Sequence, residues 1–353
     1  MIESLGSGGA ERQMTMLSSL LLKEDYDVRV WTYYPDAFYL PFLNEKGVPY
    51  ECVQIAQPRY KRLFVLREKL KRENPDAVIA YLDSATSVMC LVKLLGADFR
   101  LVVSERNTTQ KLTVRERLKF FFYRWADVVV PNSATQTAFI AWRYPELKPK
   151  LTTIHNYIDV NRFVPADESE TCQKRFSLLV VARINRQKNV LRFLQTLYEI
   201  KKTGSSLRVA WVGGSSDNLY QQEVMNLYES LQLQDVLQFF PPQQDVLPFY
   251  QQAEAFCLPS LYEGFPNVIG EAMCCGLPVL CGDVCDNPVL VQEGENGMLF
   301  DPCSVNSMVK TLRLWQELPA DEKKKMGEKS RKKALELFSA ESFVSSYEKC
   351  LER

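Results

Sequence analysis

Short apolar runs alternate with stretches in which apolar residues recur every three or four positions, and the alternation continues along most of the chain. An uninterrupted run of about four to eight apolar residues suits a strand buried on both faces, whereas the longer period suits a helix with one buried side. In the first half, Asp27 to Tyr33, Asp76 to Tyr81, Phe99 to Ser104, Asp127 to Val130 and Leu151 to Ile154 read as strands. Helices fit Ala10 to Leu22, Lys61 to Arg72, Ala85 to Leu95, Arg115 to Arg124 and Ala134 to Trp142. Strands recur in the second half at Phe176 to Ala182, Leu207 to Val212, Val236 to Phe239, Ala253 to Leu258 and Pro278 to Cys281. Strands that alternate with helices form parallel sheets with right-handed crossovers. The expected class is therefore α/β: two Rossmann-like domains whose parallel sheets face each other across a cleft, with ligands at the carboxyl ends of the strands.

The division falls where periodicity stops. Residues 158–175 are polar, include Pro165 and the acidic run Asp167-Glu168-Ser169-Glu170, and read as a linker or hinge. This gives an N-terminal domain over 1–157 and a C-terminal domain over 176–338. Residues 339–353 contain an amphipathic pattern from Ala340 to Leu351, read as a helix that crosses back onto the first domain. The chain's beginning departs from the scheme. A glycine loop, Leu5-Gly6-Ser7-Gly8-Gly9, comes after only five residues, too few for an ordinary buried strand. The first strand is expected to be stunted, or its true start to lie upstream of Met1.

Candidate chemistry concentrates in Glu263-Gly264-Phe265-Pro266-Asn267-Val268-Ile269-Gly270-Glu271. The stretch lies between two apolar strands, so it must turn, run a helix and return. Gly264 permits backbone angles closed to other residues, and Pro266 ends earlier regularity. Asn267 is read as the cap of a helix from Val268 to about Cys275, with Gly276 as its left-handed terminator. Free N–H groups at a helix start favour an anion such as a diphosphate, and a carboxylate accepts hydrogen bonds from two hydroxyls of a sugar. Upstream, Arg183 and Lys188 follow the strand that opens the second half, with Arg186 between them. A guanidinium fork and an ammonium suit a diphosphate whose charge grows as it leaves. Any one of these residues alone is adequately explained as surface charge; the combination is not.

The pattern Glu263, seven residues, Glu271, continued by Ala272-Met273-Cys274-Cys275-Gly276-Leu277-Pro278-Val279, resembles the retaining glycosyltransferases of family 4, which have the GT-B fold. The resemblance implies that Glu271 holds the nucleotide ribose, Glu263 contacts the donor sugar near its reacting carbon, and Arg183 and Lys188 embrace the diphosphate. Gly264, Phe265, Pro266, Asn267 and Val268 would then border the donor, as would Gly8 and Gly9, whose loop resembles the one that follows the family's first strand. Ser104-Glu105-Arg106-Asn107 occupies a place where many members carry a donor-contacting histidine; this chain has none there, so Glu105, Arg106 or Asn107 would contact the sugar or acceptor instead, a structural turn being the simpler alternative. His155-Asn156-Tyr157-Ile158-Asp159 resembles the family's Asn-Gly-Ile-Asp turn, with Tyr157 in place of glycine. His155, the only histidine, is read as structural, which excludes multi-histidine metal sites and mechanisms.

Composition narrows the remaining classes. Lysine plus arginine equals aspartate plus glutamate at 43 each, so net charge argues against a dedicated nucleic-acid binder. The ten cysteines form no metal-ligand spacing and mostly sit in apolar runs, which fits a reducing cytoplasm. No run is long enough to span a bilayer. Two basic stretches bear on location: Arg59 to Arg72, and Lys111 to Trp125 with its Phe120-Phe121-Phe122-Tyr123 core. Each reads either as a peripheral contact with an anionic membrane or as a helix with a buried aromatic face and a solvated basic one.

The functional expectation is a retaining, metal-independent glycosyltransferase. It would move a hexose or N-acetylhexosamine from a nucleoside diphosphate, read as UDP from the resemblance of Glu-Gly-Phe-Pro-Asn to bacterial surface-polysaccharide enzymes. The acceptor would be a saccharide, read as polyprenyl-diphosphate-linked. No Asp-x-Asp motif is present, no cofactor is expected, and the basic pair takes the role of a divalent ion. The rival readings are an epimerase or phosphorylase on the same scaffold, and a non-catalytic glycan- or nucleotide-binding partner of another transferase.

Overall fold

The computed structural model describes residues 1–53, 61–167 and 175–352 of the chain. The chain divides into two compact units: Met1–Tyr157 with Ala340–Arg353, and Ile158–Ser339. In the first unit the elements run α1 (Gly9–Lys23), β1 (Val30–Thr32), α2 (Leu40–Glu45), β2 (Tyr50–Cys52), α3 (Lys61–Glu73), β3 (Ala77–Tyr81), α4 (Asp83–Leu94), β4 (Arg100–Glu105), α5 (Val114–Phe122), β5 (Val128–Pro131) and α6 (Ala134–Arg143). β1 pairs with β2, and β3, β4 and β5 form a second ladder, all parallel.

The residues ahead of the glycine loop join these two ladders. The Met1 amino group donates to the Ile79 carbonyl at 2.9 Å, and the Tyr81 N–H donates to the Met1 carbonyl at 2.9 Å. On the other side, the Ile2 N–H donates to Trp31 at 3.1 Å and the Tyr33 N–H to Glu3 at 3.2 Å. Three residues are too few for a full strand, yet they satisfy backbone groups of both β1 and β3.

Leu151 to Ile154 does not form the expected strand. It makes one bridge to Val129, and its N–H groups at Thr152 and Ile154 donate to Val129 and Pro131 at 3.0 and 3.1 Å. Pro131 has no N–H to return, so the ladder is left one-sided at that point. Only Ile154 of the four is buried, and the partner's backbone decided the pairing.

The second unit is a single six-stranded parallel sheet in the order β11-β10-β9-β6-β7-β8. Its elements are β6 (Phe176–Val181), α7 (Val190–Lys201), β7 (Val209–Val212), α8 (Asn218–Ser230), β8 (Leu237–Phe240), α9 (Leu247–Gln251), β9 (Ala253–Leu258), α10 (Asn267–Cys274), β10 (Val279–Gly282), α11 (Asn287–Leu290), β11 (Gly297–Phe300), α12 (Val305–Glu317) and α13 (Ala320–Leu337). β9 and β10 are nearly wholly buried, as apolar strands covered on both faces must be. The last helix, α14 (Ala340–Leu351), belongs to the first unit. Phe343, Val344, Tyr347 and Cys350 enter that unit's core, and Arg100 Nε donates to the Cys350 carbonyl at 2.6 Å.

The opening of the segment read as a hinge is packed rather than free. Ile158 and Phe163 are buried in the second unit's core, and Arg331 donates to the carbonyls of Val160 and Phe163 at 3.1 and 2.9 Å. Isolated apolar residues in a polar stretch carry no periodicity, so composition missed them. Residues 168–174, with the acidic positions Glu168 and Glu170, lie outside the described residues.

Candidate active site

β6 and β9 are neighbours in the second unit's sheet, so the loops leaving their carboxyl ends meet. Three side chains stitch them together. Asn189 adopts left-handed angles at φ 60° and is buried, and its amide donates to the carbonyls of Pro259 and Pro302 at 3.1 and 2.7 Å. Arg192 holds the Asn189 side-chain oxygen at 2.7 Å. Gln187 donates to the Tyr262 carbonyl at 2.9 Å, while its own carbonyl accepts the Leu261 N–H at 2.9 Å. Asn185 caps the short turn Arg186–Lys188 by accepting the Lys188 N–H at 3.0 Å.

This stitching brings Lys188 onto Glu263. Nζ lies 2.5 Å from Oε1, with the two side chains 13% and 8% exposed. Arg183, at the end of β6, is exposed, and Arg186 reaches outward to Glu223 at 3.3 Å. α10 begins at Asn267, so the positive end of its dipole lies just past Glu263 in the chain. Pro266, not Asn267, takes the cap position: it has no side-chain acceptor, and its ring presets the φ of the helix entry. Phe265 and Pro266 are buried, Phe265 packing edge-to-face on Phe338 with ring centres 6.2 Å apart. Their side chains anchor the loop, while Gly264, Asn267 and Val268 are partly exposed along it. Gly276 ends the following turn at φ +70°.

Glu271 is almost completely buried, and the Tyr250 hydroxyl donates to its Oε2 at 2.9 Å. Buried carboxylates require such partners, and the tyrosine was not legible as one from sequence, because it lies on a different helix, α9. Gly213-Gly214, after β7, was also missed. A Cβ on Gly213 would fall 2.1 Å from the Ala182 carbonyl, and the Ile184 N–H donates to Gly214 at 2.7 Å, so this glycine pair lies against the loop that carries Arg183. A Val-Gly-Gly after an apolar run was the available signal. Cys285, at φ 51°, faces Glu263: burial pushes its thiol up, the Glu263 backbone N–H works against that, and the Asp286 and Glu263 carboxylates add to the rise.

In the first unit, Gly8 precedes α1 and is partly exposed, and Gly9 is exposed. The Glu11 carboxylate folds over this loop, 2.2 Å from where a Cβ on Gly8 would stand. An acidic side chain therefore borders the place where sequence suggested a diphosphate or acceptor. Glu105 is turned into the fold instead of toward a ligand. It is buried, pairs with Lys119 at 2.9 Å, and accepts from the Tyr123 hydroxyl at 2.6 Å and the Asn107 N–H at 3.1 Å. Arg106 donates to Ser104 and Asn156 at 2.7 and 2.8 Å and contacts the Tyr347 hydroxyl. Of the three, Asn107 alone is exposed. Charge in a post-strand loop suggested ligand contact; the next helix, α5, and the distant α14 claim those charges. Tyr157, where the family pattern has glycine, stacks on Phe343 of α14 at 5.6 Å and exchanges two 2.8 Å hydrogen bonds with Gln13. His155 is partly buried.

The second basic stretch does not divide into a buried aromatic face and a solvated basic one. α5 buries Lys119 along with Phe120, and its outer side exposes Val114, Leu118 and Phe121 beside Arg115 and Arg117. α3 exposes Phe64 and Val65, while Arg59 lies outside the described residues. Among the described residues no helix is long and apolar enough to cross a membrane.

Residues 7–162 match the family model described as Glycosyltransferase Family 4, and residues 166–333 match that of Glycosyl transferases group 1. The amylovoran biosynthesis glycosyltransferase AmsD of Erwinia amylovora is 26% identical over 84% of this chain and 82% of its own length. An N-acetylgalactosamine-N,N'-diacetylbacillosaminyl-diphospho-undecaprenol 4-alpha-N-acetylgalactosaminyltransferase of Campylobacter jejuni is 24% identical over 90% of this chain and 89% of its own. Among solved structures, Anabaena HepE in complex with UDP-glucose aligns at a TM-score of 0.87 with 18% identity, covering 99% of this chain and 98% of that one. A sucrose-phosphate synthase from Thermosynechococcus elongatus aligns at 0.83 with 18% identity, covering 99% and 96%.

Proposed function

The chain belongs to the family 4 glycosyltransferases of GT-B fold, and on that premise we propose that it is a retaining, metal-independent enzyme that transfers a hexose or N-acetylhexosamine from a UDP-sugar to a lipid-linked saccharide. The observation that carries the reading is the stitched pair of loops that sets Lys188 against Glu263, one loop also carrying Arg183 and the other leading into α10.

Each group has a physical role in that reaction. Arg183, Lys188 and the first N–H groups of α10 receive the negative charge that builds on the departing diphosphate. Glu271, oriented by Tyr250, accepts from the ribose hydroxyls. Glu263 accepts from donor-sugar hydroxyls and supports positive charge at the anomeric carbon. The bond from that carbon to the phosphate oxygen breaks while the acceptor oxygen bonds on the same face. The acceptor's proton passes to the leaving phosphate oxygen, so no histidine or other side-chain base is required. The UDP assignment is supported by the UDP-glucose bound to the Anabaena relative, and a diphospho-undecaprenol-linked acceptor by the name of the Campylobacter relative. The amylovoran relative supports a role in surface-polysaccharide synthesis. The exposed apolar and basic residues of α5 support peripheral contact with an anionic membrane, where such an acceptor resides.

Incubation with a panel of UDP- and GDP-sugars, with and without lipid-linked saccharide and in the presence of EDTA, tests this directly. Acceptor-stimulated release of UDP from one donor, with the anomeric configuration kept in the product, is the expected result. Conversion of a donor without any acceptor would instead identify an epimerase, and a requirement for inorganic phosphate a phosphorylase. Flotation with anionic liposomes at low salt tests the membrane contact, which failure to co-float would overturn.

A further inference from the structure

In the sequence pattern Lys188 and Glu263 serve opposite ends of the donor, the lysine its diphosphate and the glutamate its sugar. In the structure they hold each other, at 2.5 Å and with little exposure. The loops beneath them are fixed by Gln187 and Asn189 through backbone carbonyls, so the pair rests on a rigid base. An ammonium and a carboxylate this buried are costly to separate unless each gains a new partner.

We propose that this ion pair is an exchange latch that discriminates the intact donor from the product nucleotide; the inference rests on the donor-site reading given above. An arriving nucleoside diphosphate draws Lys188 toward its phosphates and away from Glu263. With an intact donor, the sugar hydroxyls replace the ammonium as partners of Glu263, so both charges are answered. With the bare diphosphate left after transfer, no sugar reaches Glu263, and the carboxylate loses its cation without that replacement. Glu263 then competes with the product for Lys188 and promotes its release. The latch thus weakens binding of the product relative to the substrate, which share the same nucleotide.

Two charges that compete for one lysine make a defined thermodynamic prediction. Removing or retracting the carboxylate should tighten the bare nucleotide, and only while the lysine is present. Titration calorimetry with UDP, and with GDP in parallel, on the full chain measures it. Glu263→Gln is expected to bind the nucleotide about tenfold more tightly than the wild type, the scale of one released charge-assisted contact. Glu263→Asp keeps the charge but shortens the reach, and should tighten binding by a smaller factor. In a Lys188→Ala background the same Glu263→Gln change should leave nucleotide affinity unaltered.

Equal affinity in the wild type and Glu263→Gln, both melting cooperatively, would overturn the latch and leave the donor site standing. A gain that persists without Lys188 would also overturn it, because general repulsion of the phosphates by Glu263 would then explain the effect. Failure of both nucleotides to bind any form would overturn the donor-site reading itself, and the latch with it.

Discussion

Each unit sets a lysine against a glutamate near the carboxyl end of a central strand, and the two pairs have different surroundings. In the first unit Lys119 meets Glu105 at 2.9 Å, with side chains 3% and 1% exposed; Tyr123 and the Asn107 N–H fill further sites on the carboxylate, and Asp83 lies 3.4 Å from the ammonium. In the second, Lys188 and Glu263 are less deeply buried, on loops that also carry the exposed Arg183 and lead into α10. A pair whose other hydrogen-bonding positions are filled by its own fold pins helix α5 to strand β4. A pair mounted on two loops, one of which leads into the start of α10, is the one proposed to exchange partners. Residue type is the same in both; the neighbours set the use.

The largest expected effect breaks the second pair. Glu263→Ala should lower sugar transfer by about a hundred- to thousandfold, the usual loss on removing a group that stabilises developing charge, with the melting transition retained. Donor-dependent release of UDP reads the first quantity and calorimetric melting the second. Activity within a few-fold of wild type would remove Glu263 from the chemistry.

Breaking the first pair should cost stability instead. Glu105→Gln leaves a buried ammonium short of its counter-charge, and a loss of about 3 kcal/mol is expected in denaturant unfolding, while UDP affinity of the folded protein stays unchanged. The same pair predicts a pH dependence. Burial acts to lower the Lys119 value, and the Glu105 and Asp83 carboxylates outweigh it, holding the ammonium above its ordinary 10.5. Its stabilisation is complete below that ordinary value and is lost as pH rises through the higher folded one. The deficit of Glu105→Gln relative to wild type should therefore be constant through neutral pH and shrink above pH 10.5. A deficit that stays constant as pH rises well above 10.5 would assign the stabilisation to another group.

The two glycine loops sharpen the contrast at smaller scale. Gly213→Ala meets the Ala182 carbonyl at 2.1 Å from a residue at φ +150°, so backbone must move, and about 2–3 kcal/mol of stability should be lost. Gly8→Ala meets the Glu11 carboxylate, the end of a flexible side chain, and should cost below about 1 kcal/mol. Comparable losses in the two variants would mean that both loops are equally rigid. A similarly small effect is expected of Tyr250→Phe, which removes the 2.9 Å hydrogen bond to Glu271. About 1 kcal/mol of stability and a several-fold rise in KM for the donor, with kcat little changed, should follow.

The sequence by itself determined the alternation of strands and helices and the α/β class, and it singled out Arg183, Lys188, Glu263 and Glu271 as candidates. Those signals are local: an apolar run buries wherever it lies, and Arg183, Lys188, Glu263 and Glu271 each follow or flank a readable strand or helix. Gly276 terminates α10 through its own backbone angle, again a local property. What the tertiary structure decided concerns pairs of residues on different elements. Lys188 turned out to hold Glu263, Tyr250 to hold Glu271, and Glu105 to be claimed by α5. Met1 to Glu3 gained their places from β1 and β3, and Tyr157 gained its place from α14, while Leu151 to Ile154 fell short of a strand because Pro131 has no N–H to give. A hydrogen bond or an ion pair needs two partners within about 3 Å, and a chain pattern records only one of them at a time.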